Sequence, residues 1–249
     1  MGTVAERAAA QAVGGATGEA AAAARYRADL YRAAAAAFLA EPTADELVRL
    51  AERANCADAD ACAFASEAAL LAALADCAGV DATAHAERVA TEYAALFVGP
   101  RPPLAPLYES VYRGEVRRLF TEVTMAVRRT YEEQGMQAPQ RNRVPDDHLG
   151  YELEFMASLA DREAACWEAG DRAAAREART CAQAFLGEHL TRWVEPFCRR
   201  VLEAPCADYY AKWAQFVRDF IQEDERFLRG DGQCRAEADD DKEGQSDDI

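Results

Sequence analysis

The sequence predicts an all-α protein in which about 8–12 helices pack as one compact domain. Helix breakers are few, because the 249 residues include only 14 glycines and 9 prolines. Alanine, leucine, glutamate and arginine, which favour helices, are abundant, whereas β-branched residues are sparse. Apolar residues recur at helical spacing, and no segment alternates convincingly between apolar and polar residues. The chain should therefore be helical almost throughout.

The composition divides the chain into three parts. Residues 1–18 are rich in alanine and glycine, so we expect a flexible arm. Residues 19–230 carry the helical pattern and are numerous enough to bury a substantial core. Residues 231–249 are polar and acidic without apolar periodicity, so we expect a disordered tail.

Four helices are predicted in the N-terminal part of the chain. The first runs from about Glu19 to Ala40 and carries one apolar stripe. Thr43 and Glu46 form a capping box that opens the second helix. The third helix ends near Gly79, and the fourth begins shortly after it and ends at Gly99.

The C-terminal part of the chain predicts further helices. The fifth runs from about Gly114 to Gln134, and the sixth from Pro145 to about Glu168. Asp171 caps the seventh helix. An eighth helix begins at Pro196 and is closed by Pro205, and the last runs from about Asp208 to Leu228.

The start of the sixth helix combines a proline, two acids and a histidine. Pro145 suits a first helical turn, where its missing N–H has no partner. Asp146 and Asp147 are the acids that the positive end of a helix favours. His148 is then expected in the first turn, beside a carboxylate. The pattern alone favours local packing of His148 and leaves its function open.

Residues 99–112 form the most irregular segment, because four of the nine prolines lie here. A linker between domains is usually polar, whereas this segment is apolar and aromatic. Proline lowers the entropy lost on ordering, which suits a loop that holds one shape. The segment is either a rigid connector or the lining of a groove on the helical body.

Charge restricts the classes of partner. The formal net charge is −16 and the sequence pI is about 4.7. Nucleic acids and anionic membrane surfaces are bound through Lys and Arg, so neither is an expected partner. The charge instead suits a basic peptide, although acidity also serves solubility. No apolar stretch reaches the length of about 20 residues that membrane insertion needs.

The eight cysteines do not form a recognisable disulfide or zinc framework. They are scattered, no C-x-x-C occurs, and the N-terminus lacks the pattern of a secretory leader. We expect most of them to be small buried apolar side chains in a reducing cytoplasm. Cys56 and Cys62, six residues apart, are the weaker candidates for metal or redox partners.

Two chemical interpretations remain open from the residues. His148 and Glu152 are spaced i, i+4 and, with Asp147, could ligate a metal in a helical hydrolase. A ferritin-like di-metal site needs a Glu-x-x-His motif on two helices, and this pair of motifs is absent from the sequence. His85 and His189 have no carboxylate at the matching spacing. Alternatively, the aromatic segment 104–112 and the acids Glu109 and Asp147 could border a groove for an extended basic and apolar peptide.

Two blocks of sequence form a distinctive pattern. The first block is Leu96-Phe97-Val98-Gly99-Pro100 followed by Pro106-Leu107-Tyr108-Glu109-Ser110-Val111-Tyr112. The second is Tyr131-Glu132-Glu133-Gln134-Gly135 followed by Pro145-Asp146-Asp147-His148-Leu149-Gly150. In order, spacing and helical context the two blocks resemble the TorD/DmsD family of redox-enzyme maturation chaperones.

The resemblance implies a non-enzymatic cytoplasmic chaperone for a molybdopterin-dependent oxidoreductase. Such a protein binds the twin-arginine signal peptide of the apo catalytic subunit and assists cofactor loading before export. No cofactor or nucleotide site is expected in the chaperone itself. With the groove interpretation, the expected peptide-binding residues are Leu107, Tyr108, Glu109, Ser110, Val111, Tyr112, Gly135, Pro145, Asp147 and His148.

The chain departs from the family pattern at two positions. Val144 stands where the family has a glutamate before the proline, and Tyr108 stands where tryptophan is frequent. The first change removes any role for that glutamate, and the second keeps an aromatic surface. A helical adaptor that contacts its partner through the acidic tail is a further interpretation of the sequence.

Overall fold

The computed structural model describes residues 15–58, 62–79, 81–114, 121–140 and 143–230. Within these ranges the backbone is helical with connecting turns and contains no strand. The predicted all-α class is therefore confirmed. The expected tail, 231–249, and most of the expected arm, 1–18, lie outside the described residues.

Ten α-helices, α1 to α10, form the described part of the chain. Their bounds are Ala16–Leu39, Ala44–Cys56, Ala65–Ala75, Ala82–Tyr93, Glu109–Arg113, Glu122–Glu133, Leu149–Glu168, Arg172–Phe185, Thr191–Glu203 and Tyr209–Arg229. A 3₁₀ turn, Asp76–Gly79, follows α3. Two π-helical turns, Ala94–Val98 and Leu186–Leu190, follow α4 and precede α9.

The long helices α1 and α7 form the centre of the fold and share the most extensive helix contact. The alanines of α1 are small enough to let a neighbouring helix approach closely, and several of them are buried. Gly150, in the first turn of α7, packs directly on Leu39. A Cβ at Gly150 would lie 2.6 Å from Leu39 Cγ. The absence of a side chain at this position therefore permits the close contact.

An aromatic cluster joins α1 to the C-terminal helices. Phe38 lies 5.8 Å from Phe97 and 5.7 Å from Phe197 between ring centroids, in edge-to-face geometry. Tyr210 contacts Phe97 at 4.9 Å, also edge to face. Full burial of each such ring contributes about 1.5–3 kcal/mol, and edge-to-face pairing adds to that.

A buried ionic cluster, Arg27–Glu163–Asp224, ties together α1, α7 and α10. Arg27 is 0% exposed and donates to Glu163 at 2.7 Å and to Asp224 at 2.5 Å. Tyr31 donates a further hydrogen bond to Asp224 at 2.6 Å. Arg27 and Tyr31 both lie on the buried face of α1. Neither belongs to the apolar stripe predicted for the first helix, which consists of Tyr26, Leu30, Ala34, Phe38 and Leu39.

Several predicted helix starts and ends agree with the structure. The capping box of Thr43 and Glu46 is present at the start of α2. Asp171 caps α8, because its side chain accepts from the Ala174 N–H. Gly135, which follows α6, has a φ of +72° and so occupies the left-handed conformation expected after a helix.

Other predicted boundaries were wrong. Pro145 is not in the first turn of α7, because that helix begins at Leu149 and His148 is its N-cap residue. Pro196 does not begin a helix but lies inside α9. The predicted fifth helix, Gly114–Gln134, is α6 from Glu122 onward, and residues 115–120 of that prediction lie outside the described ranges.

The cysteines are more exposed than predicted. Of the seven in the described ranges, Cys198 is buried, Cys56 and Cys206 are exposed, and the others are intermediate. None of the seven forms a disulfide. No helix among the described residues combines the length and apolar character that crossing a membrane requires.

Candidate functional site

The two motif segments lie side by side, which helical periodicity alone could not predict. An isolated antiparallel bridge joins Tyr108 to His148. The Leu149 N–H donates to the Leu107 carbonyl at 2.8 Å, and the Glu109 N–H donates to the Asp147 carbonyl at 3.0 Å. The bridge therefore fixes the start of α5 against the start of α7, although the two lie far apart in sequence.

Asp147 anchors the short helix α5 rather than its own helix. Its carboxylate Oδ2 accepts from the Ser110 N–H at 2.8 Å, and its side chain is fully buried. An acid at the N-terminus of a helix is favoured by the unpaired N–H groups and the helix dipole. The prediction that Asp147 lies in the first turn of its own helix was wrong, because that helix begins at Leu149 and the Asp147 carboxylate bonds the first turn of α5.

Glu109 is also fully buried and is held by one residue of another element and one residue of its own helix. Its Oε2 lies 2.9 Å from His189 Nδ1, in the π-helical turn before α9. Its Oε1 accepts from Arg113, one turn later in α5. His189 therefore has a carboxylate partner in space, although the sequence around it contains no matching carboxylate frame. The pairing is invisible in the sequence because Glu109 and His189 are 80 residues apart.

Glu152 completes a buried acidic cluster, which we define as Glu109, Asp147 and Glu152. Its Oε2 accepts from Trp193 Nε1 at 3.1 Å. Burial and the neighbouring charge of Glu109 raise the pKa of Glu152 well above its usual value. The acid is therefore stabilised in its protonated form beneath the motif segments.

His148 acts as a neutral N-cap of α7. Its Nδ1 accepts from the Gly150 N–H at 3.1 Å, and burial lowers the pKa of His148 to about 4. With Nδ1 accepting, the ring proton is on Nε2, which is then a hydrogen-bond donor. No hydrogen bond joins His148 to Asp147, so His148 does not orient that carboxylate.

The expected peptide-binding residues divide into buried and partly exposed groups. Leu107, Glu109, Ser110, Pro145, Asp147 and His148 are buried. Partly exposed residues are Tyr108, Val111 and Tyr112, whereas Gly135 is exposed. The expected acidic rim of the groove is thus not formed by Glu109 or Asp147, because both carboxylates point into the protein and are bound there.

An aromatic row leads away from the bridge. The Tyr108 and His148 rings pack edge to face at 5.2 Å, and Tyr151 lies 5.3 Å from His148 on the next turn. On the other side, Tyr112 stacks on Trp193 at 5.4 Å and lies beneath the Arg200 guanidinium at 5.0 Å. Trp193 and Arg200 belong to α9 and were not among the sequence-predicted site residues.

The aromatic row ends at a cleft between α7 and the segment that follows α6. This α6–α7 cleft has a volume of about 310 Å³. Its lining residues are Tyr131, Met136, Gln137, Ala138, Pro139, Tyr151, Glu154, Phe155 and Ser158. Gly135 makes the turn into this segment, which places it at the cleft rather than at the Tyr108–His148 bridge.

The residues proposed for a metal hydrolase have other partners. Among the described residues, no group of three or more His, Cys, Asp or Glu side chains is arranged to hold a metal ion. His148 Nδ1 is occupied by Gly150, and Glu152 is directed to Trp193. The i, i+4 spacing of His148 and Glu152 therefore does not produce a shared ligand site.

Fold and site together define a helical protein that fixes two loop segments around a buried acidic cluster. Residues 58–199, more than half of the chain, match the family model described as "Nitrate reductase delta subunit". Chaperones named TorD are among the relatives of the chain. The chain therefore belongs to the TorD/DmsD family, and the resemblance drawn from the two motif blocks is confirmed.

Each of three curated relatives matches a little more than half of the chain. "Chaperone protein TorD" of Vibrio cholerae is 26% identical over 140 residues, which are 56% of this chain and 62% of the relative. The TorD of Photobacterium profundum is 25% identical, over 57% of this chain and 65% of its own length. The chain thus spans less than two thirds of these TorD relatives. "Selenate reductase assembly chaperone protein" of Thauera selenatis is 31% identical, over 55% of this chain and 68% of its own length.

Proposed function

We propose that this protein is a cytoplasmic assembly chaperone, and not an enzyme, for a molybdopterin-dependent oxidoreductase. It binds the twin-arginine signal peptide of the apo catalytic subunit and assists cofactor loading before export. The observation that carries the proposal is the Tyr108–His148 bridge, which unites the two motif blocks of a family with chaperone relatives.

The buried and the exposed motif residues have different roles in this proposal. The buried Glu109, Ser110 and Asp147 hold α5 in place through bonds within the protein. Tyr108, Val111 and Tyr112 keep part of their surface exposed and contact the peptide. A binding surface held by a fixed network loses less entropy on binding, which supports affinity.

The charge of the protein supports association with a basic peptide. A net charge of −16 attracts arginines over distances comparable to the Debye length, about 8 Å at physiological salt. The attraction raises the rate of encounter, while the apolar and aromatic contacts retain the peptide. Affinity should therefore decrease as salt is added.

Calorimetric titration with a synthetic twin-arginine signal peptide tests this function. We expect binding at low salt, and at least a tenfold loss of affinity when Asp147→Ala is combined with His148→Ala, because both helix caps are removed. Asp171→Ala is the matched control, since it removes the cap of α8 away from the motif segments. The proposal fails if the wild-type protein does not bind, or if the double variant binds like the control.

A further inference from the structure

We propose that the α6–α7 cleft is the subsite for an arginine of the signal peptide and the bulky apolar residue beside it, with Glu154 as the acceptor of the arginine. The inference rests on the proposed function and adds to it the place where the cationic part of the peptide binds. No residue that lines the cleft was among the peptide-binding residues expected from the sequence.

The floor of the cleft is apolar and held in one arrangement. Tyr131 and Phe155 are almost completely buried, and their rings are 4.6 Å apart. The Tyr131 hydroxyl donates to the Asp146 carbonyl at 3.2 Å, which fixes the ring from the other end. Met136, Ala138 and Pro139 form the wall. At about 310 Å³, the cleft is at the small end of ligand pockets and accommodates one or two side chains.

Glu154 supplies a negative charge at the edge of this apolar surface. It is exposed on α7, one turn before Ser158, and its carboxylate makes no ion pair or hydrogen bond with the described residues. Partial burial raises the pKa of Glu154, because the carboxylate loses hydration and gains no partner. A guanidinium beside it would restore that interaction with charge-assisted hydrogen bonds.

Glu109, Asp146 and Asp147 are buried and bonded within the protein. The Asp147 carboxylate accepts a hydrogen bond from the Ser110 N–H, and Glu109 pairs with His189 and Arg113. Asp146 accepts from Arg128 at 2.6 Å. An incoming arginine would have to break these buried bonds to reach them. Glu154 needs no such rearrangement.

Ring contacts connect the cleft to the surface already assigned to the peptide. Tyr151 lines the cleft and contacts His148, which in turn contacts Tyr108. An extended peptide can therefore follow the aromatic row from α5 to the cleft. The chain's own residues 231–249 are unsuitable occupants, because their acidic side chains would be repelled by Glu154.

Fluorescence anisotropy with a labelled peptide that carries an Arg-Arg pair followed by apolar residues tests the assignment. Glu154→Gln should weaken binding about tenfold, the loss expected for one hydrogen-bonded ion pair. Ser158→Trp, at the rim, should fill the cleft and weaken binding more than tenfold. A peptide with citrulline in place of each arginine should bind wild-type protein and Glu154→Gln equally, because the pair is absent in both.

Matched controls separate this inference from the function on which it rests. Glu177→Gln removes the same charge on the exposed face of α8, and Thr180→Trp replaces a hydroxyl that, like Ser158, bonds the carbonyl four residues earlier. If wild-type protein binds but Glu154→Gln and Ser158→Trp match these controls, the subsite is wrong and the function stands. If Glu154→Gln weakens the citrulline peptide as much as the arginine peptide, the arginine assignment is wrong. If wild-type protein binds neither peptide, both proposals fail.

Discussion

At the scale of single residues, the buried motif acids Asp147 and Glu109 form hydrogen bonds that hold neighbouring segments together. Asp147 accepts from a backbone N–H of α5, and Glu109 joins α5 to the turn before α9. Removing one partner of such a bond leaves a buried polar group unsatisfied, which costs about 1–3 kcal/mol. The bonds of Asp147 and Glu109 therefore stabilise the shape of the motif segments, whereas Glu154, outside both motif blocks, has no ion-pair partner among the described residues.

Glu152 makes the stability of the protein depend on pH. Its folded-state pKa is raised well above 4.5, chiefly by burial and then by Glu109. Its contribution to stability is therefore fully present below about pH 4.5 and is lost as pH rises through the folded-state pKa. Glutamine stays neutral and can still accept from Trp193.

Glu152→Gln should consequently be about as stable as wild type at pH 5, and more stable by about 1–3 kcal/mol at pH 8. Urea unfolding at both pH values measures the difference, with Glu177→Gln as the exposed control. A difference between Glu152→Gln and wild type that is the same at both pH values would contradict the raised pKa.

At the scale of helices and turns, local signals were predicted well from the sequence. The capping box at Thr43, the cap at Asp171 and the left-handed Gly135 each depend on residues within one turn. The errors occurred where a distant segment decides the outcome. Pro145 lies before α7 because the bridge between Tyr108 and His148 fixes residues 145–148 as a loop.

The candidate site was predictable to a similar extent. The motif blocks identified the two segments, but spacing could not reveal that His189 pairs with Glu109, or that Trp193 donates to Glu152. Glu154 gave no sequence signal, since an acid on the exposed face of a helix is common. Its significance depends on residues 136–139, which form the opposite wall of the cleft.

Gly135 controls that wall through its backbone conformation. Its φ is +72°, and no atom lies within 4 Å of the point that a Cβ would occupy, so alanine would be strained but would not clash. Gly135→Ala should therefore lower the free energy of unfolding by about 1 kcal/mol. Gly135→Asn should cost less, because asparagine tolerates the left-handed region. Thermal unfolding of both variants checks this, and equal losses would argue against backbone strain as the cause.

At the scale of the whole molecule, one buried arginine connects three helices. Arg27 forms ion pairs with both Glu163 and Asp224, so α1, α7 and α10 are held by one ionic cluster. The burial of Arg27 could have been suspected from the sequence, because Arg27 is four residues before Tyr31 and shares its helical face. Its acidic partners, Glu163 and Asp224, could not have been identified from the sequence, because they lie 136 and 197 residues away.

Arg27→Ala should destabilise the fold by about 3–5 kcal/mol, because it leaves two buried acids without their main counter-charge. Arg25→Ala is the matched control, since Arg25 pairs with Glu168 on the surface and its loss should cost at most about 1 kcal/mol. Urea unfolding of the two variants measures the contrast. Similar losses would show that the buried cluster is not a principal tie between the helices.

The proposed function requires that this protein recognise its client through the twin-arginine signal peptide. The most direct measurement is co-purification with the apo catalytic subunit of a molybdopterin-dependent oxidoreductase, with and without that signal peptide. We expect the complete precursor to be retained in low salt and the form without the signal peptide to be lost. Equal retention of both forms, or retention of neither, would contradict the claim.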